Sequence, residues 1–477
     1  MKFIIPIALI GMAAIAHGAQ SAPARVSGGT LTSDGISNQR TAADGVTLDL
    51  YQNGFGFVRD RRQLPAGKGQ TTLSLNGLPN GLDESSLRAE AGDAASVLEM
   101  AWRPAPAGPS ALLARWVGSR VILAPRSGHG GSERSATLIA VSGDTPVVRT
   151  DDGVELGGEQ APWRLVLPAG DGDRTRPRLA VTLDSGSGGD IPLTLSYLTN
   201  GLSWQADYRL EVDGDRASLS GYASLHNDTD VTYSHVRVTL VAGNVRRDGG
   251  NGSAPHAFEM QRASKAAVAP PEQAGAWHAY PVQSPTGLPA GEVRRIPLLS
   301  RDDLPVQRRF RAEGVGTRPA PSAPGDEPRS EPVAVRFEVD TGGKGAAPLP
   351  GGTVRVTESA AQGGPRFLGS NRIEHTPAGE PFTVDTGTAF DVTASRRQTD
   401  YRQLDDRRFE IAWEITLHNA GDRPAPVDVI ETMGGDWSLT GDESNQWERR
   451  DAHTLARQVS LAAGERRTIA YRVRVTR

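Results

Sequence analysis

The chain has 477 residues, a formal net charge of −4 and 37% hydrophobic residues, and it contains no cysteine. Its length leaves room for roughly three domains. The composition excludes Cys-ligated metal sites, a disulfide framework and a Cys-anchored lipoprotein, and without a basic stripe nucleic acid is not an expected partner.

Taken in order, residues 1–19 read as a secretory signal peptide. Lys2 supplies the positive end, Phe3 to Ala16 the apolar run, and Ala16-His17-Gly18-Ala19 the small-residue cleavage neighbourhood. No second apolar run is long enough to cross a membrane, so the expected location is periplasmic or secreted, soluble after cleavage and without a transmembrane helix. Residues 20–44, rich in Ser, Ala, Gly and Thr, are expected to form a flexible N-terminus. Alternation of Val46, Leu48 and Leu50, then Phe55 to Arg61 and Thr72 to Leu75, predicts an N-terminal β unit over 45–103. Leu82 to Glu90 fits either a short helix or a strand. After a Pro/Ala/Gly linker, five short strands crowd into 111–170. They read as a small SH3-like barrel with Trp116 and Trp163 at its ends.

A first β-sandwich section is expected over 173–313. Ile191, Leu193, Leu195 and Tyr197 alternate, as do Tyr208, Leu210 and Val212 before the Asp213-Gly214 turn, and so do Leu219 to Leu225 and Val236 to Ala242. It is interrupted by a Gly/Ala/Pro-rich insertion, 246–276, expected to be disordered, and followed by a flexible linker over 314–332. A second sandwich section is expected over 333–477, its clearest strand being Phe409, Ile411, Trp413, Ile415 and Leu417. The fold class predicted is all-β and multi-domain: a small SH3-like barrel and two related sandwich sections, with long disordered loops.

The two sections are related by landmarks. Asp207-Tyr208-Arg209 is matched by Asp400-Tyr401-Arg402, and Leu225-His226-Asn227 by Leu417-His418-Asn419, at spacings that differ by a single residue. Two matches in the same order suggest duplication. Repetition in both halves favours structural roles, with each Tyr packed into its sheet and each Asp tying the Arg or a nearby amide. Asn227 and Asn419 read as turn formers.

Segments 197–211, 236–245, 389–402 and 451–475 resemble a bacterial exported family of unknown function that includes the mucoidy inhibitor A-like proteins. The opening 51–67 resembles that family's N-terminal strand pair. The resemblance implies an envelope location and a β-rich fold, and it supplies no catalytic residues. Mucoidy inhibitor A-like members carry a long coiled coil between the N-terminal β unit and the sandwich. Here no heptad run exists, and the small barrel stands in its place.

Neither a Gly-x-Ser-x-Gly elbow nor a His-Glu-x-x-His helix is present. His226, His235, His256 and His278 share no metal-binding spacing, so no metal and no cofactor are expected. Asp436, Asp442 and Glu443 surround Trp437, with Trp447 nearby. Such a loop suits either sugar stacking beside general acid and base, or a Trp plug with solvated acids, and the plug is favoured. Asp436, Trp437 and Trp447 are therefore the candidate binding residues, and no catalytic residue is assigned. The leading expectation is a non-catalytic protein that binds or scaffolds an envelope protein or polysaccharide. The alternatives are an enzyme on envelope polysaccharide, acting through the acids near Trp437, and a purely structural spacer.

Overall fold

The computed structural model describes residues 45–128, 130–168, 174–243, 245, 272–274, 277–318, 327–343, 346–359, 364–441 and 444–476. The expected signal peptide, the 20–44 segment and all of the 246–276 insertion except 272–274 lie outside them. The fold is all-β, with 65% strand and 4% helix.

The chain opens with β1 (Val46–Tyr51), β2 (Phe55–Ala66), β3 (Gly69–Leu75), β4 (Arg88–Glu90) and β5 (Ser96–Arg103). A short helix α1 (Pro109–Ala114) leads into β6 (Arg120–Pro125), β7 (Arg134–Ser142), β8 (Thr145–Thr150), β9 (Gly153–Leu156) and β10 (Trp163–Val166). Then come β11 (Arg178–Ser185), β12 (Gly189–Asn200), β13 (Leu202–Asp213), β14 (Arg216–Asn227), β15 (Tyr233–Ala242), β16 (Glu272–Ala274), β17 (Trp277–Pro281), β18 (Thr286–Leu288) and β19 (Glu292–Val315). The remainder is β20 (Arg329–Glu331), β21 (Val333–Val339), β22 (Gly352–Glu358), β23 (Arg366–Ile373), β24 (Phe382–Thr388), β25 (Val392–Gln403), β26 (Arg408–Asn419), β27 (Ala425–Thr432), β28 (Asp436–Thr440), β29 (Glu448–Arg449), β30 (Thr454–Leu461) and β31 (Arg466–Thr476).

Strands of 45–103 do not make a sheet of their own, which revises the expected N-terminal unit. β1 runs parallel to β15 and antiparallel to β2, and β2 pairs with β12 along its whole length. β3 and β5 flank β11 in a three-stranded sheet. Each of these strands has one apolar face, and five short strands cannot cover one another's. The partners that cover them come from residues 178–242.

The small unit has the five expected strands, paired in the order β10-β6-β7-β8-β9 around Trp116, Leu123, Leu138, Val148 and Trp163. It is not a closed barrel, because no pairing joins β9 to β10. Both strands are only four residues long, and side chains fill the seam instead: Trp163 Nε1 donates to Glu155 Oε2 at 2.8 Å, and Arg134 binds the same carboxylate at 2.8 and 3.0 Å.

The two sandwich sections share one ten-stranded sheet, β23-β22-β13-β14-β19-β27-β30-β29, with β21 beside β19 and β24 beside β21. The 24-residue β19 is its spine. Its first part pairs with β14, and its last part pairs with β21 and, in parallel, with β27. Where it passes from one set to the other, the register shifts and Asp303 adopts φ 57°. A five-stranded sheet, β20-β25-β26-β31-β28, closes the second core.

The expected boundary at 333 moves downstream. Phe337, Val339, Val354, Val356, Phe382 and Val384 all belong to the first core, because β22 lies parallel to β13 and carries β23 with it. Part of the expected 314–332 linker is also ordered, since β20 pairs with β25. Leu82 to Glu90 supplies both a 3-10 turn at Glu84–Ser86 and the strand β4.

Candidate functional site

Trp437 and Trp447 are both buried in the second core. Trp437 Nε1 donates to Ala452 O at 2.6 Å, and the Arg449 guanidinium covers the ring at 4.3 Å. Trp447 Nε1 donates to Ala470 O at 2.9 Å, and its ring meets Tyr471 edge-on at 4.9 Å. Neither ring offers a face for sugar stacking, and their packing supports the plug. Asp436 is exposed at the start of β28, opposite Thr476. Asp442 and Glu443 lie outside the described residues.

The Asp-Tyr-Arg pair and the Asn pair fare differently. Asn227 and Asn419 end the second strand of equivalent hairpins, β13–β14 and β25–β26, and both are buried. Tyr208, however, lies opposite Gly221, six residues before Asn227, while Tyr401 lies opposite Ile411, eight before Asn419. The tripeptides are thus one side-chain pair out of step. Tyr208 is buried and donates to Pro350 O at 2.8 Å; Tyr401 is half-buried and donates to Gln403 Oε1 at 2.8 Å.

The two carboxylates bind cross-strand partners rather than the Arg of their own tripeptide. For Asp207 these are diagonal neighbours on the adjacent strands β14 and β22, and for Asp400 the long Arg472 side chain reaches across β26. Asp207 accepts from Ser224 Oγ at 2.8 Å and from Arg355 Nη1 at 3.0 Å, and Asp400 accepts from Arg472 Nη1 at 2.5 Å. Burial pushes the Asp207 carboxyl up, but Ser224 and Arg355 more than offset it, leaving it below the usual range. The hydrogen bond from Arg472 lowers Asp400. Arg209 and Arg402 are exposed.

Among the described residues no three His, Asp or Glu side chains gather where they could hold a metal, and His256 lies outside those residues. Trp437, Trp447, Asp207 and Asp400 are each bonded to the sheets that carry them.

The feature that stands apart from the sheets is the unit over α1 and β6–β10. It is inserted between β5 and β11, which are paired neighbours: Arg103 lies directly opposite Arg178. Its neck is held by a reciprocal clasp. Arg115 Nη1 donates to Arg174 O at 2.7 Å, while Arg174 Nη1 donates to Arg115 O at 2.9 Å and to Ser119 Oγ at 2.8 Å. Arg174 also stacks over the Trp116 ring at 4.6 Å. Each arginine answers carbonyl groups that leave regular pairing where the chain enters and exits the insert, a need that satisfies buried backbone but leaves no sequence pattern.

In the insert's sheet, β9 pairs with β8 alone. Val154 and Leu156 project from it, 59% and 67% exposed, and the exposed Asp151, Asp152 and Glu159 flank it. In the sequence, Asp151-Asp152-Gly153 reads only as a tight turn into Val154.

A family model described as a domain of unknown function (DUF4139) matches residues 193–477. The chain belongs to the DUF4139 family. The DUF4139 region begins within β12 and takes in the whole ten-stranded sheet and the sheet that closes the second core. It excludes β1–β11, although β1 and β2 complete a sheet to which its own β12 and β15 belong. The insert lies entirely outside the DUF4139 match. No curated protein matches the chain, and no solved structure does.

Proposed function

We propose that this is an exported, non-catalytic binding module of the cell envelope that captures an extended segment of another envelope protein along β9. The observation that carries the reading is the edge of β9 with which no strand pairs, where only the Trp163–Glu155 side-chain bond crosses to β10 and Val154 and Leu156 stand exposed. An edge strand offers unpaired backbone N–H and C=O groups to an incoming strand, and alternate side chains supply the selectivity. Asp151, Asp152 and Glu159 around that edge call for a basic segment with apolar residues at every second position. The clasp of Arg115 and Arg174 fixes the insert at its base, so the edge is presented from a firm mount. The envelope location rests on the signal-like residues 1–19 and on the resemblance to mucoidy inhibitor A-like proteins.

A photo-crosslinking amino acid at position 154, expressed in cells and followed by mass spectrometry, tests this. The expected product is one protein adduct whose crosslinked peptide is extended and basic, and it disappears when Leu156 is replaced by Asp. Equal capture by the Leu156→Asp chain, or no protein adduct, would overturn the proposal.

A further inference from the structure

In the three-stranded sheet, β5 is an outer strand that pairs with β11 alone, and among the described residues no strand pairs with its other edge. Such an edge presents backbone N–H and C=O groups to an incoming strand. Trp102 and Met100 lie opposite Leu179 and Val181, on the face turned to the first core. Trp102 is half-buried there, while Met100 is 39% exposed. Glu99, Ala101 and Arg103, opposite Thr182, Ala180 and Arg178, stand exposed on the outer face. Among the described residues, neither the Glu99 carboxylate nor the Arg103 guanidinium has an ion pair or hydrogen bond.

The regular part of this edge is symmetric about Ala101. On one side the register with β11 shifts between Val97 and Glu99, which leaves Leu98 unopposed and exposed as a bulge. On the other side Pro104 has no N–H to give, and its carbonyl accepts from Arg115. Leu98 comes three residues before Ala101 and Pro104 three after it. A second copy of the strand, turned antiparallel about Ala101, therefore matches it rung for rung from Glu99 to Arg103. Each Glu99 then faces the Arg103 of the other copy, and each Met100 faces the other Trp102 in a sulfur–aromatic contact. Sliding the copies by two residues removes both ion pairs. Sliding by four sets Glu99 against Glu99 or Arg103 against Arg103, and sliding by one turns the apolar side chains to the outer face.

We infer that β5 is a self-association edge: two copies of the chain join antiparallel along Glu99 to Arg103, about a two-fold axis at Ala101, and fuse their three-stranded sheets into one. A two-fold contact uses the same patch on both copies, so it requires a self-complementary strand. Main-chain hydrogen bonds supply the attraction. The Glu99–Arg103 pairs are exposed and individually weak, and they choose the register. The contact does not depend on the proposed role of β9.

Sedimentation of the full chain over a range of concentrations tests this, and a monomer–dimer equilibrium is expected. Glu99→Arg puts like charges at both pairs and is expected to weaken the dimer about tenfold. Arg103→Glu is expected to do the same, and the two changes together to restore the parent affinity, which a fold defect would not. Because the chain has no cysteine, single introduced thiols report the geometry. Under mild oxidation Ala101→Cys is expected to form a linked dimer, since directly opposed residues lie within disulfide reach. Glu99→Cys is expected to stay unlinked, its two copies lying about 13 Å apart along the strands. A monomer at every concentration, a dimer indifferent to Glu99→Arg, a double variant no tighter than the single ones, or Ala101→Cys linking no faster than Glu99→Cys would overturn the inference.

Discussion

Asn227 and Asn419 make the same hydrogen bonds in the two cores. Each Nδ2 donates to the carbonyl four residues on, Val231 at 2.9 Å and Arg423 at 2.8 Å. Each also donates to a carbonyl just before the next paired strand, Leu288 at 2.8 Å and Ala462 at 2.9 Å. Each Oδ1 accepts the backbone N–H two residues on, Thr229 at 3.2 Å and Gly421 at 3.1 Å. Alanine at either position leaves buried backbone groups unsatisfied. We expect a loss of about 2–3 kcal/mol in each case, read as matched drops in urea midpoint. A drop for only one would mean that the two cores share the geometry without sharing its energetic role.

The second core holds a buried ion pair. Arg396 Nη2 donates to Glu431 Oε2 at 2.7 Å, Tyr471 donates to the same oxygen at 2.8 Å, and Arg396 lies over the Trp413 ring at 4.1 Å. Gly314 leaves the room, since a Cβ there would collide with the Arg396 guanidinium. Glu431→Leu strands a buried cation and is expected to cost about 3–5 kcal/mol, while Arg396→Met with Glu431→Leu recovers most of that. Thermal melts of the single and double variants check it; a double variant no better than the single would refute the pairing as the cause.

Acid should act through half-buried pairs such as Arg336 with Asp385, joined at 2.6 and 2.7 Å. The hydrogen bonds from Arg336 hold the Asp385 carboxyl below its ordinary value of 3.8. A lowered folded pKa means the unfolded chain binds the proton first. The stabilisation is therefore present above pH 3.8 and is lost as pH falls through the folded value. Asp385→Asn should be less stable than the parent at neutral pH, with the difference vanishing in strong acid. Glu431 has the opposite sign: burial raises it despite Arg396, so its proton favours the fold, and that contribution fades as pH rises through the raised value.

Asp303 is a non-glycine residue in the left-handed region, at the point where β19 changes partners, and its side chain is 79% exposed. A β-branched residue there meets the full steric penalty, so Asp303→Val is expected to lose about 1–2 kcal/mol, and Asp303→Gly to lose nothing. Because the side chain is exposed, urea unfolding of the two variants reports on the backbone alone. Equal stability of the two would place the bend elsewhere.

Strands whose apolar residues alternate were legible in the sequence. Phe409, Ile411, Trp413, Ile415 and Leu417 are all buried, as their spacing requires. What alternation cannot supply is the partner, because pairing is set across the chain. β1 alternates well, yet nothing in Val46, Leu48 and Leu50 names β15 as its neighbour. The Asp-Tyr-Arg match misled for a related reason. Tyr401 lies three residues nearer the end of its strand than Tyr208 does, and the turn after Gln403 is two residues longer, so near-equal sequence spacing conceals a two-residue displacement.

Arg103 and Arg178 face each other across one rung of a ladder, with the insert looping out between them. A polypeptide that leaves and returns at adjacent points places little demand on what is built in between. The host sheet would close with a short turn if the insert were cut away. Evolution can therefore exchange, enlarge or delete this element as a cassette, changing what the protein meets without renegotiating how the rest of it folds.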